Sequence, residues 1–233
     1  MQKTVCELFA GGRRISVGAA ARFPSVGNRM VFPMGAWQEK TMAHDCYVKH
    51  FGECTDLNGE LHTGDDISTV NKDAIPSHTL LVGGFPCQDY SVAHTLASSK
   101  GIEGKKGVLW WQIRDILIAK NAPFCIFENV DRLLKSPASQ RGRDFGIILS
   151  CLNDLDYSVE WRVVNAAIYG AAQRRRRTFI FAYKNSTEYG QKMNDEDSTQ
   201  LITRTGLMAR AFPVRDAVKL RTTSLPKDVD RNI

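Results

Sequence analysis

Apolar runs short enough to be strands alternate with stretches whose apolar residues recur at helical spacing, and this rhythm leaves few architectures open. The strand-like runs are Val5–Phe9, Thr79–Gly83, Phe124–Glu128, Val159–Asn165 and Thr178–Tyr183. Between them, Val108–Lys120 sets Leu109, Ile113, Ile116 and Leu117 at helical spacing, and Phe145–Leu155 does the same with Phe145, Ile148, Leu149 and Leu152. A strand buried on both faces needs a near-continuous apolar run, and a helix between two such strands returns the chain to begin the next in parallel. The sequence therefore predicts an α/β domain with a mostly parallel, doubly wound sheet. A length of 233 residues suits one such domain with a tail, not two full domains. The sheet is expected to end near Tyr183, because the chain turns polar around Asn194–Ser198 and its last residues are weakly patterned.

Composition narrows the setting. No run of apolar residues is long enough for a membrane span, and no basic region followed by an apolar stretch marks the N-terminus for secretion. The cysteines, Cys6, Cys46, Cys54, Cys87, Cys125 and Cys151, form no C-x-x-C pair and have no histidine at zinc spacing. That argues against a metal site or a disulfide framework and favours a reducing cytoplasm. A net charge of +6 suits a polyanionic partner without establishing one.

In a doubly wound sheet ligands sit beyond the carboxyl ends of the strands, so the residues after each strand carry the chemistry. The first strand runs into Ala10-Gly11-Gly12, a glycine turn that lets backbone approach a nucleotide-like ligand. After the second comes Gly84-Phe85-Pro86-Cys87-Gln88. Cys87 is placed as a nucleophile held toward a cleft, or as a small apolar filler at a strand end. Glu128 ends the third strand, where a partly desolvated carboxyl can hold a proton for a substrate nitrogen, or can serve as a helix cap or ion-pair partner. Before the last strand stands Gln173-Arg174-Arg175-Arg176-Arg177, whose arginines alternation throws to two sides. They suit phosphate and anion contact, or a solvated surface.

In their order these pieces resemble the DNA cytosine-5 methyltransferase family. Phe9-Ala10-Gly11 looks like the start of its cofactor motif, Gly84-Phe85-Pro86-Cys87-Gln88 like its nucleophile motif, and Glu128-Asn129-Val130 like its acid motif. Gln173-x-Arg175-x-Arg177 is similar to its arginine motif, and the Gly64–Ile67 turn and Gly107–Trp110 match its cofactor side, so the resemblance covers residues 4 to 183 apart from the basic stretch of residues 13–40. It implies a Rossmann-like S-adenosylmethionine-dependent methyltransferase fold and methyl transfer to C5 of a flipped cytosine in double-stranded DNA, of bacterial or phage restriction–modification type. Cys87, Glu128 and Arg175 would be catalytic. Phe9, Ala10, Gly11, Asp66, Ile67, Pro86 and Leu109 would lie beside S-adenosylmethionine. Gln88, Ser91, Asn129, Gln173 and Arg177 would face the base or the DNA.

Two departures qualify the expectation. The family continues beyond the arginine motif into a target-recognition region and two further motifs, which do not follow Tyr183 here. Residues 1–184 are thus expected to form the catalytic domain and 185–233 the start of an incomplete recognition region, with a second chain supplying the rest or the enzyme being truncated. The chain could also be a non-catalytic remnant. The second departure is residues 12–40, basic, glycine-rich and without visible helical or strand periodicity. Shifted by one base, Met30-Val31 and Met34-Gly35 each yield Trp and Trp37-Gln38 yields Gly, and an allowed choice of codons reads FAGVGGFRLGL from Phe9 onward, which restores the family's glycines. A frameshifted segment is the hypothesis, a divergent loop the alternative, and the gene sequence across codons 10 to 42 separates them.

Overall fold

A computed structural model of the chain describes residues 3–9, 26–32, 49, 61–62, 67–85, 108–136 and 140–213. Seven strands form one sheet: β1 (Lys3–Leu8), β2 (Val26–Phe32), β3 (Leu61–His62), β4 (Leu80–Gly83), β5 (Phe124–Val130), β6 (Tyr157–Asn165) and β7 (Arg176–Lys184). Their order is β3-β2-β1-β4-β5-β7-β6. The pairs from β3 to β5 are parallel, and β7 runs antiparallel to both its neighbours. The sheet is thus mostly parallel, as expected, with one reversed strand. The turn Ala166–Tyr169 and the ten residues 166–175 return the chain directly as a hairpin, so no crossover helix is needed.

Residues 26–32 form a strand inside the stretch that shows neither helical nor strand periodicity in the sequence. They pair in parallel with β1 on one side and β3 on the other. Backbone pairing on both edges holds an interior strand whatever its side-chain period, and Pro33 favours extended backbone at Phe32 just before it.

Helices α1 (Val108–Lys120) and α2 (Arg143–Asp154) form as their apolar spacing predicts. Each turns its buried stripe, Trp110, Ile113, Ile116 and Leu117 in α1 and Phe145, Ile148 and Leu152 in α2, into one core with Leu8, Leu81, Cys125, Phe127 and Ile180. Alternation then puts Phe124, Ile126, Phe179, Phe181 and Tyr183 on the other face of the sheet. That face is covered by the residues after β7. Helix α3 (Glu188–Asn194), a helical stretch over 198–205 and helix α4 (Leu207–Ala211) bring Met193, Met208 and Tyr189 onto it. Among the described residues no helix is long and apolar enough to cross a membrane, and no group of three or more His, Cys, Asp or Glu is arranged to hold a metal.

Candidate active site

Strand order reverses between β1 and β4, and an open α/β sheet has its ligand crevice beyond such strand ends. Leu8 stands opposite Gly83, and a Cβ on Gly83 would lie 3.5 Å from the Cβ of Leu8, so the strand ends are already in contact. Phe9 leaves β1 with φ of 59°, a conformation a bulky side chain adopts only where its surroundings impose it, and its ring is buried. Phe9, Ile67 and the half-buried Leu109 belong to one apolar cluster with Phe85 and Trp110. This cluster can offer a flat ligand an apolar wall. Ala10, Gly11, Asp66, Pro86, Cys87, Gln88 and Ser91 lie outside the described residues.

The root of the cysteine loop is nonetheless fixed in place. Phe85, two residues before Cys87, packs against Trp110 and Phe127 with ring centroids 5.9 and 6.5 Å away, and Trp110 meets Phe127 edge-on at 6.0 Å. Asn129 is buried on the same face and donates from Nδ2 to the carbonyl of Phe85 at 3.5 Å, while its Oδ1 accepts from the Val130 N–H at 2.8 Å. A buried amide with both ends engaged ties the tip of β5 to the chain that leads into Cys87.

Glu128 alternates onto the opposite face, where Phe179 of β7 is its cross-strand partner. Its Oε1 lies 2.8 Å from Arg177 Nε and 3.7 Å from Arg175 Nη2. Arg177 also donates from Nη1 to the carbonyl of Arg176 at 2.7 Å, so its planar fork is held at both ends. Arg176 points away from this cluster and pairs with Asp131 at 3.1 Å. Gln173 is exposed on the hairpin turn, with its carbonyl accepting from the N–H of Arg175. Glu128, Arg175 and Arg177 line an open cavity of about 310 Å³ whose remaining walls are mainly apolar: Val164, Tyr169, Phe179 and Phe212.

Of the expected residues, then, Glu128, Arg175 and Arg177 come together on one face, and Phe9, Ile67 and Leu109 gather near the strand reversal, with Asn129 between the two groups. The apolar walls were not singled out in the sequence. Alternation from Arg177 puts Phe179 on the Glu128 face, but nothing near Phe212 in the chain marks it as a neighbour. Burial pushes the thiols of Cys6 and Cys125 far up from their ordinary range, so neither is a nucleophile near neutral pH.

The family model for C-5 cytosine-specific DNA methylase matches residues 4–226. The chain is 51% identical over 176 residues to the type II methyltransferase M.Sau3AI of Staphylococcus aureus, an alignment that takes in 75% of this chain and 41% of that protein. It is 30% identical over 231 residues to the type II methyltransferase M.HaeII of Haemophilus aegyptius, covering 97% of this chain and 66% of the relative. Its fold is similar to that of the Entamoeba histolytica methyltransferase EhMeth, with a TM-score of 0.53, 20% identity, and 78% of this chain and 53% of that chain covered. The chain thus spans between two fifths and two thirds of the length of these relatives. With the family motifs in order and a methyltransferase-like sheet beneath them, the chain belongs to the C-5 cytosine-specific DNA methylase family.

Proposed function

We propose that the chain carries the catalytic domain of a DNA cytosine-5 methyltransferase of bacterial or phage restriction–modification type, with residues 185–233 beginning its target-recognition region. The observation that carries this reading is the Glu128 carboxylate set 2.8 Å from Arg177 and 3.7 Å from Arg175 at the ends of β5 and β7. The apolar cluster of Phe9, Ile67 and Leu109 at the reversal of strand order fits S-adenosylmethionine on the residues described, since that ligand needs an apolar wall for its adenine ring. When bound, S-adenosylmethionine supplies an electrophilic methyl group.

The chain's own residues do the rest. Cytosine must leave the duplex for its ring face to be reached. Cys87, as thiolate, adds to C6, while Glu128 shares a proton at N3 and draws charge from the ring. Carbon 5 becomes nucleophilic, takes the methyl group and loses its proton to a base, and elimination frees Cys87. Arg175 stabilises the anionic ring, and Arg177 holds the Glu128 carboxylate toward it. Asn129 holds the carbonyl of Phe85, two residues before Cys87, against β5 throughout.

A second reading is that the chain is a non-catalytic remnant, or one subunit of a split methyltransferase that binds DNA only with a partner chain. One experiment separates them. The chain is incubated with methyl-labelled S-adenosylmethionine and duplex DNA, with and without a chain bearing a recognition region, and 5-fluorocytosine DNA is used to trap the adduct. Label in DNA from the chain alone, lost in Cys87→Ser, supports the first reading. Transfer only with the added chain makes it one subunit of a split enzyme, and neither label nor adduct in any mixture overturns the first reading and leaves the non-catalytic remnant.

A further inference from the structure

Glu128, Phe179 and Arg162 stand in one row across β5, β7 and β6, because Glu128 is opposite Phe179 and Phe179 is opposite Arg162. Residues directly opposite in antiparallel strands share a face, so Arg162 lies on the Glu128 side of the sheet, with Phe179 between them. Its guanidinium reaches away from the catalytic cluster. Nη2 donates to the carbonyl of Ile202 at 2.7 Å, and Nη1 donates to the carbonyls of Met208, at 3.2 Å, and of Phe212. One side chain thus holds three carbonyls of the segment after β7.

One row further from the site, buried Glu160 completes the fastening. It accepts from the hydroxyl of Tyr189 at 2.8 Å and from the N–H of Met208 at 3.0 Å. Met208 is therefore held through both its backbone groups, by Glu160 and by Arg162. The outcome is the placing of Phe212. Its ring stacks on Phe179 at 5.5 Å and 27°, meets Tyr169 at 5.6 Å and 72°, and walls the cavity that contains Glu128, Arg175 and Arg177.

We propose that Arg162 is a positioning residue for the Glu128–Arg177 pair, acting through Phe212, and that the segment after β7 is in this way part of the catalytic apparatus. The inference rests on the methyltransferase reading for its catalytic meaning but not for its physics. A hydrogen-bonded ion pair is stronger and better ordered where apolar walls keep water from it, and the stacked Phe179 and Phe212 rings supply that wall. The side of the cavity toward Arg175 stays open to the base.

The test reads the ion pair directly, in the whole chain and without substrate. The Arg177 Nε–H, identified by its loss in Arg177→Lys, is followed by solvent hydrogen exchange in Arg162→Gln, Phe212→Leu, Phe212→Tyr and Tyr189→Phe. Exchange is expected to quicken about tenfold in Arg162→Gln and Phe212→Leu, as local opening of the wall exposes the pair. It should return to the native rate in Phe212→Tyr, which keeps the flat ring. Tyr189→Phe removes the hydroxyl that Glu160 accepts from but leaves the Met208 N–H on Glu160 and the carbonyls on Arg162, so it should lower thermal stability without quickening exchange. Unchanged exchange in Arg162→Gln or in Phe212→Leu, or equal quickening in Tyr189→Phe, overturns the proposal. In methyl-transfer assays the first two variants should lower kcat and leave the KM for S-adenosylmethionine unchanged. If the native chain transfers no methyl group, the exchange arm still decides the positioning, so failure of the proposed function is seen separately.

Discussion

Arg177 grips Glu128 with its Nε at 2.8 Å and uses Nη1 to hold the carbonyl of Arg176 at 2.7 Å. That division of labour needs a fork, and a lysine ammonium at the end of a flexible stem cannot reproduce it. Arg175 is half exposed and stands 3.7 Å from the same oxygen, free to turn toward a ligand. We therefore expect Arg177→Lys to lower kcat about tenfold more than Arg175→Lys under saturating substrates, because it unfastens the acid as well as removing a donor. Equal losses in single-turnover methyl transfer would show that the two arginines act alike. The residue types at this site were legible in the sequence: a carboxylate at a strand end and arginines at alternate positions. Their division of labour was not, since spacing says that Arg175 and Arg177 share a side and nothing about which is nearer.

At the scale of elements, the polar stretch after β7 marked the end of the sheet and was otherwise the least legible part of the chain. Its polar residues are caps and exposed helix positions. Thr187 Oγ1 accepts from the N–H of Gly190 at 2.9 Å to start α3, and Asp197 Oδ1 accepts from the N–H groups of Thr199 and Gln200 to start the next turn. The apolar anchors Tyr189, Met193 and Met208 are too widely spaced to show a helical period across the whole segment. Helices α1 and α2 were readable because each carries a full stripe, whereas β2 and the direction of β7 were not, because pairing partners lie elsewhere in the chain. Gly190 shows how closely the segment is seated: a Cβ there would lie 2.3 Å from the carbonyl oxygen of Lys184 and 2.9 Å from Asn185 Cα, both backbone atoms that cannot swing aside. Gly190→Ala should cost about 2 kcal/mol or more in denaturant unfolding, in spite of alanine's better helix propensity. A neutral or stabilising result would mean that α3 is not held against the end of β7.

At the scale of the molecule, the described part of the sheet serves two cores, one under α1 and α2 and one under the segment after β7, and the candidate site occupies the carboxyl ends of its central strands. Among the described residues the opposite ends carry no part of that site, which allows stability to be probed without touching it. His78 precedes β4 there, buried, with Nδ1 against the carbonyl of Pro76 at 2.9 Å. Burial lowers its pKa from the ordinary 6.5, and the charge of Lys120 lowers it further, while the bond to Pro76 opposes both. The native ring therefore refuses a proton that the unfolded chain takes up as pH falls below 6.5. The unfolded state then binds more protons than the native one, so the contribution of His78 is fully present above pH 6.5 and is lost as pH falls toward the native pKa. His78→Asn keeps a donor for Pro76 and removes the titration. Thermal midpoints measured from pH 7.5 to about pH 5, above the range where most carboxylates titrate, should fall more steeply in the native chain than in the variant. Parallel curves would assign the acid sensitivity to other groups, and a steeper fall in the variant would reverse the sign of the argument.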